Sequence, residues 1–79
     1  MTIKVLGAGC AKCKLLEAMT RDAVRELGID VQVEKVADIQ KIMSYGVMST
    51  PALVINEKVK VAGRVPGVKN IKQYIEEGR

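Results

Sequence analysis

An α/β domain with the element order β-α-β-α-β-β-α is the fold class this sequence predicts, and three observations carry it. A short apolar segment, Ile3, Val5 and Leu6, runs into a long helical pattern from Ala11 to Leu27. An unbroken apolar run, Ala52-Leu53-Val54-Ile55, directly follows Thr50-Pro51. Lysines then alternate with valines through Lys58-Val59-Lys60-Val61, and the chain closes on a second amphipathic pattern. The 79 residues suffice for one domain spanning 1–79, and no linker, repeat or low-complexity tract divides them.

Each element has a local reason. The first strand ends at Gly7-Ala8-Gly9. Within 11–27, Leu15, Leu16, Met19, Ala23, Val24 and Leu27 fall on one helical face, and Gly28 is placed to end the helix as its C′ residue. Glu17 and Arg21, four apart, are expected on the exposed side. Val31 and Val33 alternate with Gln32 and Glu34, as in a half-exposed strand. Asp38 can cap a short helix carrying Ile39, Ile42 and Met43 and stopped near Gly46. The run from Ala52 to Ile55 has no polar side, which suits a strand covered on both faces near the sheet centre. Asn56-Glu57 reads as a tight turn into an edge strand whose lysines discourage unwanted pairing. After Gly63 and Pro66, the residues Val68, Ile71 and Ile75 mark a final helix ending at Gly78.

Composition narrows the function. Lys and Arg number 13 against 9 Asp and Glu, a net charge of +4, yet no basic run reaches the length of a nucleic-acid or membrane patch. The aromatic residues are Tyr45 and Tyr74 alone, too few for a base-stacking platform. Neither nucleic acid nor a membrane is therefore an expected partner; a solvated basic surface is, and a preference for acidic partner proteins is compatible with it. Met1-Thr2-Ile3-Lys4 shows no cationic leader or long hydrophobic segment, so a soluble cytosolic protein is expected. With no histidine in the chain, the commonest nucleophile–base pairs cannot be assembled. Tyr45 and Tyr74 are expected to pack with exposed hydroxyls. Met43 and Met48 are expected to fill core, with a docking surface near the cysteines as the alternative.

The chemistry centres on Cys10 and Cys13, which sit where a strand-to-helix loop becomes a helix. Unpaired N–H groups and the helix dipole at that end stabilise an anion, and Lys12 adds positive charge nearby. Both favour the thiolate of Cys10, the attacking species in disulfide exchange. Cys13 follows one turn later on nearly the same face, within reach of the Cys10 sulfur, so it can resolve a mixed disulfide. A drop in pKa from about 8.5 to about 6.5 would raise the thiolate fraction at pH 7 roughly 25-fold and lower intrinsic nucleophilicity roughly 8-fold. The gain is therefore larger in leaving-group quality than in attack rate. Lys12 reads equally as an exposed first-turn lysine with no such role. A purely structural staple would contribute only about 2 kcal/mol from so short a loop.

Cys10-Ala11-Lys12-Cys13 at the start of the long helix, with Thr50-Pro51 before an apolar strand and an Asn-turn hairpin, resembles the thioredoxin/glutaredoxin superfamily. The nearest likeness is to its very small archaeal and bacterial redox-active disulfide proteins, and Val47-Met48-Ser49-Thr50-Pro51-Ala52-Leu53-Val54-Ile55-Asn56 carries much of it. The resemblance implies a four-stranded mixed sheet flanked by three helices. It implies a thiol–disulfide oxidoreductase with Cys10 as nucleophile and Cys13 as resolving thiol. It also implies Pro51 in a cis peptide beside the dithiol, with the backbone of Thr50 pairing with an extended substrate segment. The implied partners are protein disulfides and an unidentified reductase or low-molecular-weight thiol, acting on a monomer. No cofactor is implied beyond the Cys10–Cys13 disulfide itself.

The chain departs from that pattern at several positions. Gly9 and Ala11-Lys12 stand where larger thioredoxins have Trp and Gly-Pro, and Lys4 stands where they bury an aspartate. Ala62-Gly63-Arg64-Val65-Pro66 replaces the Gly-Gly-Asp-type turn that helps glutaredoxins bind glutathione, so the reductant stays open. The rival reading is a heavy-metal-associated metallochaperone, in which two thiolates would hold a soft ion such as Cu(I). Those domains run β-α-β-β-α-β, and the helix expected between Asp38 and Tyr45 argues against that order.

Overall fold

The computed structural model describes residues 1–7 and 11–78. Its elements follow in the order β1 (Ile3–Leu6), α1 (Ala11–Leu27), β2 (Val33–Val36), α2 (Ile39–Ser44), β3 (Ala52–Ile55), β4 (Lys58–Ala62) and α3 (Val68–Glu77). The strands form one mixed sheet in the order β2-β1-β3-β4, in which β1 and β2 are parallel and the other pairs antiparallel. A parallel pair needs a long crossover, and α1 supplies it. The helix between β2 and β3 separates this order from that of the metallochaperone domains. No described helix is long and apolar enough to cross a membrane.

Alternation along the two inner strands explains both layers. Ile3 and Val5 of β1, with Leu53 and Ile55 of β3, face the side covered by α1 and α3, where Leu16, Ala23, Val24, Ile71 and Ile75 complete the main core. Leu6, Ala52 and Val54 face the other side, against Ile42 and Val47. The unbroken apolar run of β3 is thus a strand with an apolar partner on each face, and all four of its residues are buried. At the edge, β4 shifts register between Leu53 and Val54, a bulge beside its alternating lysines.

Local signals operate largely as expected. The Asp38 side chain accepts a hydrogen bond from the Gln40 amide and caps α2. Gly28 takes φ +66° after α1. Both Asn56 and Glu57 adopt positive φ, 53° and 65°, in the turn between β3 and β4. Three details differ. The second strand is Val33–Val36 and leaves Val31 outside it. Leu15, placed on the apolar face of α1, is 52% exposed. Thr20 is fully buried instead, and it escapes an unpaired hydroxyl by donating to the Leu16 carbonyl at 2.7 Å.

Because β3 is enclosed on both faces, little can relax around a void there. Leu53→Ala should cost about 3 kcal/mol in urea unfolding; a change below about 1 kcal/mol would mean that the enclosure is looser than described.

Candidate functional site

Four chain segments converge at one end of the sheet. β1 ends at Leu6, paired with Val36 on one side and Ala52 on the other. Because β3 runs antiparallel to β1, its first residue comes to that end, preceded by Thr50 and Pro51. Ala62, the last residue of β4, lies opposite Ala52, which brings residues 63–67 there as well. Gly7 and the first turn of α1 complete the group.

Cys13 is 1% exposed in the first turn of α1, with its sulfur engaged in a disulfide. It packs so closely on the end of β1 that a Cβ built on Gly7 would overlap its Sγ and stand 2.9 Å from its Cβ. Gly7 is held in place by its amide, which donates to the Val36 carbonyl at 2.9 Å. A side chain at position 7 is therefore excluded by the cysteine itself, a requirement that a glycine in a loop pattern does not disclose. Cys10, expected as the nucleophile, lies outside the described residues. Lys12 is exposed one position before Cys13.

The Thr50–Pro51 peptide is cis, Pro51 is buried and Thr50 is exposed. The Pro51 carbonyl accepts from the Gly63 amide at 2.9 Å. Gly63 has φ +79°, a conformation that favours glycine, and a Cβ there would stand 3.1 Å from Ser49 Cβ, a tight contact to which Ser49 would have to yield. Beside Thr50 lies a groove of about 390 Å³ lined by Ile39, Ile42, Met43, Val47 and Met48. The expectation that Met43 and Met48 fill core is overturned: they are 66% and 98% exposed and form part of the groove. α2 is only six residues long and buries Ile42, so its neighbours have no second layer to enter.

On the same face of the sheet, Lys4 takes the position of the buried acid noted above. Its Nζ donates to Tyr45 Oη at 2.9 Å and to Glu57 Oε1 at 3.0 Å, and Tyr45 Oη donates to Glu57 Oε2 at 2.9 Å. This closed triad ties β1, the end of α2 and the β3–β4 turn together. Hydrogen bonds to Tyr45 and then Glu57 hold the Lys4 ammonium above its ordinary pKa, and the bond from Lys4, then that from Tyr45, holds the Glu57 carboxyl below its own. The Lys4 side chain is 21% exposed and that of Glu57 60%, so solvent screens much of the attraction. These are links across 41 and 53 residues, with no local signature.

The family model of the thioredoxin domain matches residues 1–76. A protein named thioredoxin from Methanothermobacter thermautotrophicus is 39% identical over 75 residues, covering 95% of this chain and 97% of its own. Another so named, from Methanocaldococcus jannaschii, is 33% identical over 76 residues, covering 96% of this chain and 87% of its own. A probable thioredoxin from Methanothermobacter marburgensis is 31% identical over 71 residues, 86% of this chain and 82% of its own.

Two outcomes are expected from this geometry. Gly7→Ala forces a methyl group into Cys13 and should lower stability by about 1–3 kcal/mol in urea unfolding; a variant as stable as the parent would show that the approach is not tight. The lowered Glu57 pKa contributes stability above the ordinary value of 4.5 and loses it as pH falls through the folded value. The Tm difference between the parent and Glu57→Gln should therefore be present at neutral pH and shrink in acid. A difference that grew in acid would reverse the assigned sign.

Proposed function

The chain belongs to the thioredoxin family of thiol–disulfide oxidoreductases, and on that premise we propose that it exchanges electrons with protein disulfides through Cys10 and Cys13. The observation that supports this reading is the buried Cys13 in the first turn of α1, seated against the end of β1 at the sheet end that also carries Thr50 and Pro51. A sulfur so enclosed is suited to an internal attack and not to meeting a partner, so the partner-facing step falls to Cys10.

In that step the Cys10 thiolate attacks one sulfur of the partner's disulfide. The partner's S–S bond breaks, its first thiolate leaves and takes up a proton, and a mixed disulfide forms. The Cys13 thiolate then attacks the Cys10 sulfur and displaces the partner's second thiolate. Two electrons pass to the partner, and the chain is left as the Cys10–Cys13 disulfide, the only redox group this reading requires. A reductase or a low-molecular-weight thiol restores the dithiol. The N-terminus of α1 and Lys12 favour the Cys10 thiolate. The Thr50 backbone pairs with an extended segment of the partner, with Pro51 beneath it. The reading takes the protein as a cytoplasmic monomer.

Equilibration in defined thiol buffers should give a reversible two-electron transition at about −200 to −290 mV. Cys10→Ser should abolish exchange, and Cys13→Ser should accumulate mixed disulfides with a protein substrate. Undiminished turnover by Cys13→Ser would remove its resolving role.

A further inference from the structure

Among the described residues, charge is sorted along the direction in which the two long helices run. α1 departs from the site end of the sheet, and so does α3, which finishes where the Gly78 carbonyl accepts from Asn56 at the opposite end. At the site end stand exposed cations: Lys12 and Lys14 in the first turn of α1, Arg64 after β4, and Lys69 in the first turn of α3. Neither helix has an acidic residue in its first turn. Of the acids toward this end, Glu17 is paired with Arg21 at 3.0 Å, while the exposed Asp38 caps α2 and keeps its charge. The far end is the reverse. There Asp22 pairs with Arg25 at 2.7 Å and Glu26 with Lys72 at 2.6 Å, and among the described residues Asp30, Glu76 and Glu77 stand beyond those pairs against Lys58.

Helix stability alone favours the opposite arrangement, with acids at N-termini and cations at C-termini. Here the lysines reinforce the partial positive charge that two helix N-termini already present. The result is a positive potential over the end of the sheet that holds Cys13 and Thr50, beside a groove lined by uncharged side chains.

We propose that this end of the molecule is an electrostatic docking surface for acidic proteins. A disulfide-bearing segment flanked by Asp or Glu is drawn to Lys12, Lys14, Arg64 and Lys69 while an apolar side chain of the segment enters the groove at Met43 and Met48. The inference rests on the disulfide-exchange reading and names the partner class for it. Steering of this kind acts on the association rate and fades as salt screens it.

Two synthetic peptides test it, each with one internal disulfide and the same apolar residues, one flanked by glutamates and the other by lysines. The full-length protein is reduced, freed of reductant and followed through a single turnover at roughly 0.01 M and roughly 1 M salt, where the screening length falls from about 30 Å to about 3 Å. The glutamate peptide should react about tenfold faster than the lysine peptide at low salt, with the gap closing at high salt. Arg64→Glu combined with Lys69→Glu should abolish the preference and leave the rate with uncharged 2-hydroxyethyl disulfide unchanged. Equal rates for the two peptides in the parent protein, with 2-hydroxyethyl disulfide still reduced, would overturn the docking surface and leave disulfide exchange standing. No reaction with any of the three disulfides would overturn both.

Discussion

The structure depends on two adjacent inner strands, β1 and β3, of which β3 is buried along its whole length and β1 everywhere but at Lys4. Their pairing fixes where everything else arrives. Leu6 opposite Ala52 sets the level at which α1 leaves the sheet and at which Thr50 and Pro51 enter it. The same register puts Ile3, Val5, Leu53 and Ile55 toward the two long helices and Leu6, Ala52 and Val54 toward the short one. A slip of one residue would exchange these sets and present Lys4 to the main core. The site is thus a by-product of the register, assembled from segments far apart in the chain.

Within that frame the first turn of α1 is pressed onto the strand end. Cys13 occupies space that any residue larger than glycine at position 7 would claim. The enclosure leaves Cys13 only 1% exposed, shielded by protein at the end of the sheet. The thin α2 layer has the complementary effect, since it leaves methionine and isoleucine side chains uncovered beside Thr50. One face of the sheet is covered by two long helices, and the other leaves apolar side chains exposed.

Periodicity made most of this fold legible. The unbroken β3 run, the lysine alternation of β4, the Asp38 cap and the glycine ending α1 each have a local physical cause that reads directly from the chain. What periodicity misjudged was decided by tertiary neighbours. Leu15 lies beyond the width of the covered face, while Thr20 falls within it because its hydroxyl can bond back to its own helix. Met43 and Met48 have the chemistry of core residues, but Met43 belongs to a helix too short to provide a core and Met48 to the segment that follows it. Gly7 and Gly63 looked like loop glycines, and their spatial reasons, the sulfur of Cys13 and the side chain of Ser49, come from elsewhere in the chain. Similarity to the thioredoxin domain over residues 1–76 establishes the family, and the resemblance at Cys10, Cys13 and Thr50-Pro51 points the same way because motif and element order agree.

The hairpin turn at Asn56-Glu57 carries one more implication. Two-residue turns of this hand favour glycine at the second position, and a glutamate held at φ 65° is locally frustrated. Glycine there would ease the backbone and remove the carboxylate that holds Lys4 and Tyr45. The residue at position 57 is therefore set by a contest between turn propensity and a tie to the middle of the sheet, and the tie has prevailed. Ranking substitutions here by turn statistics would recommend the one that unlatches α2.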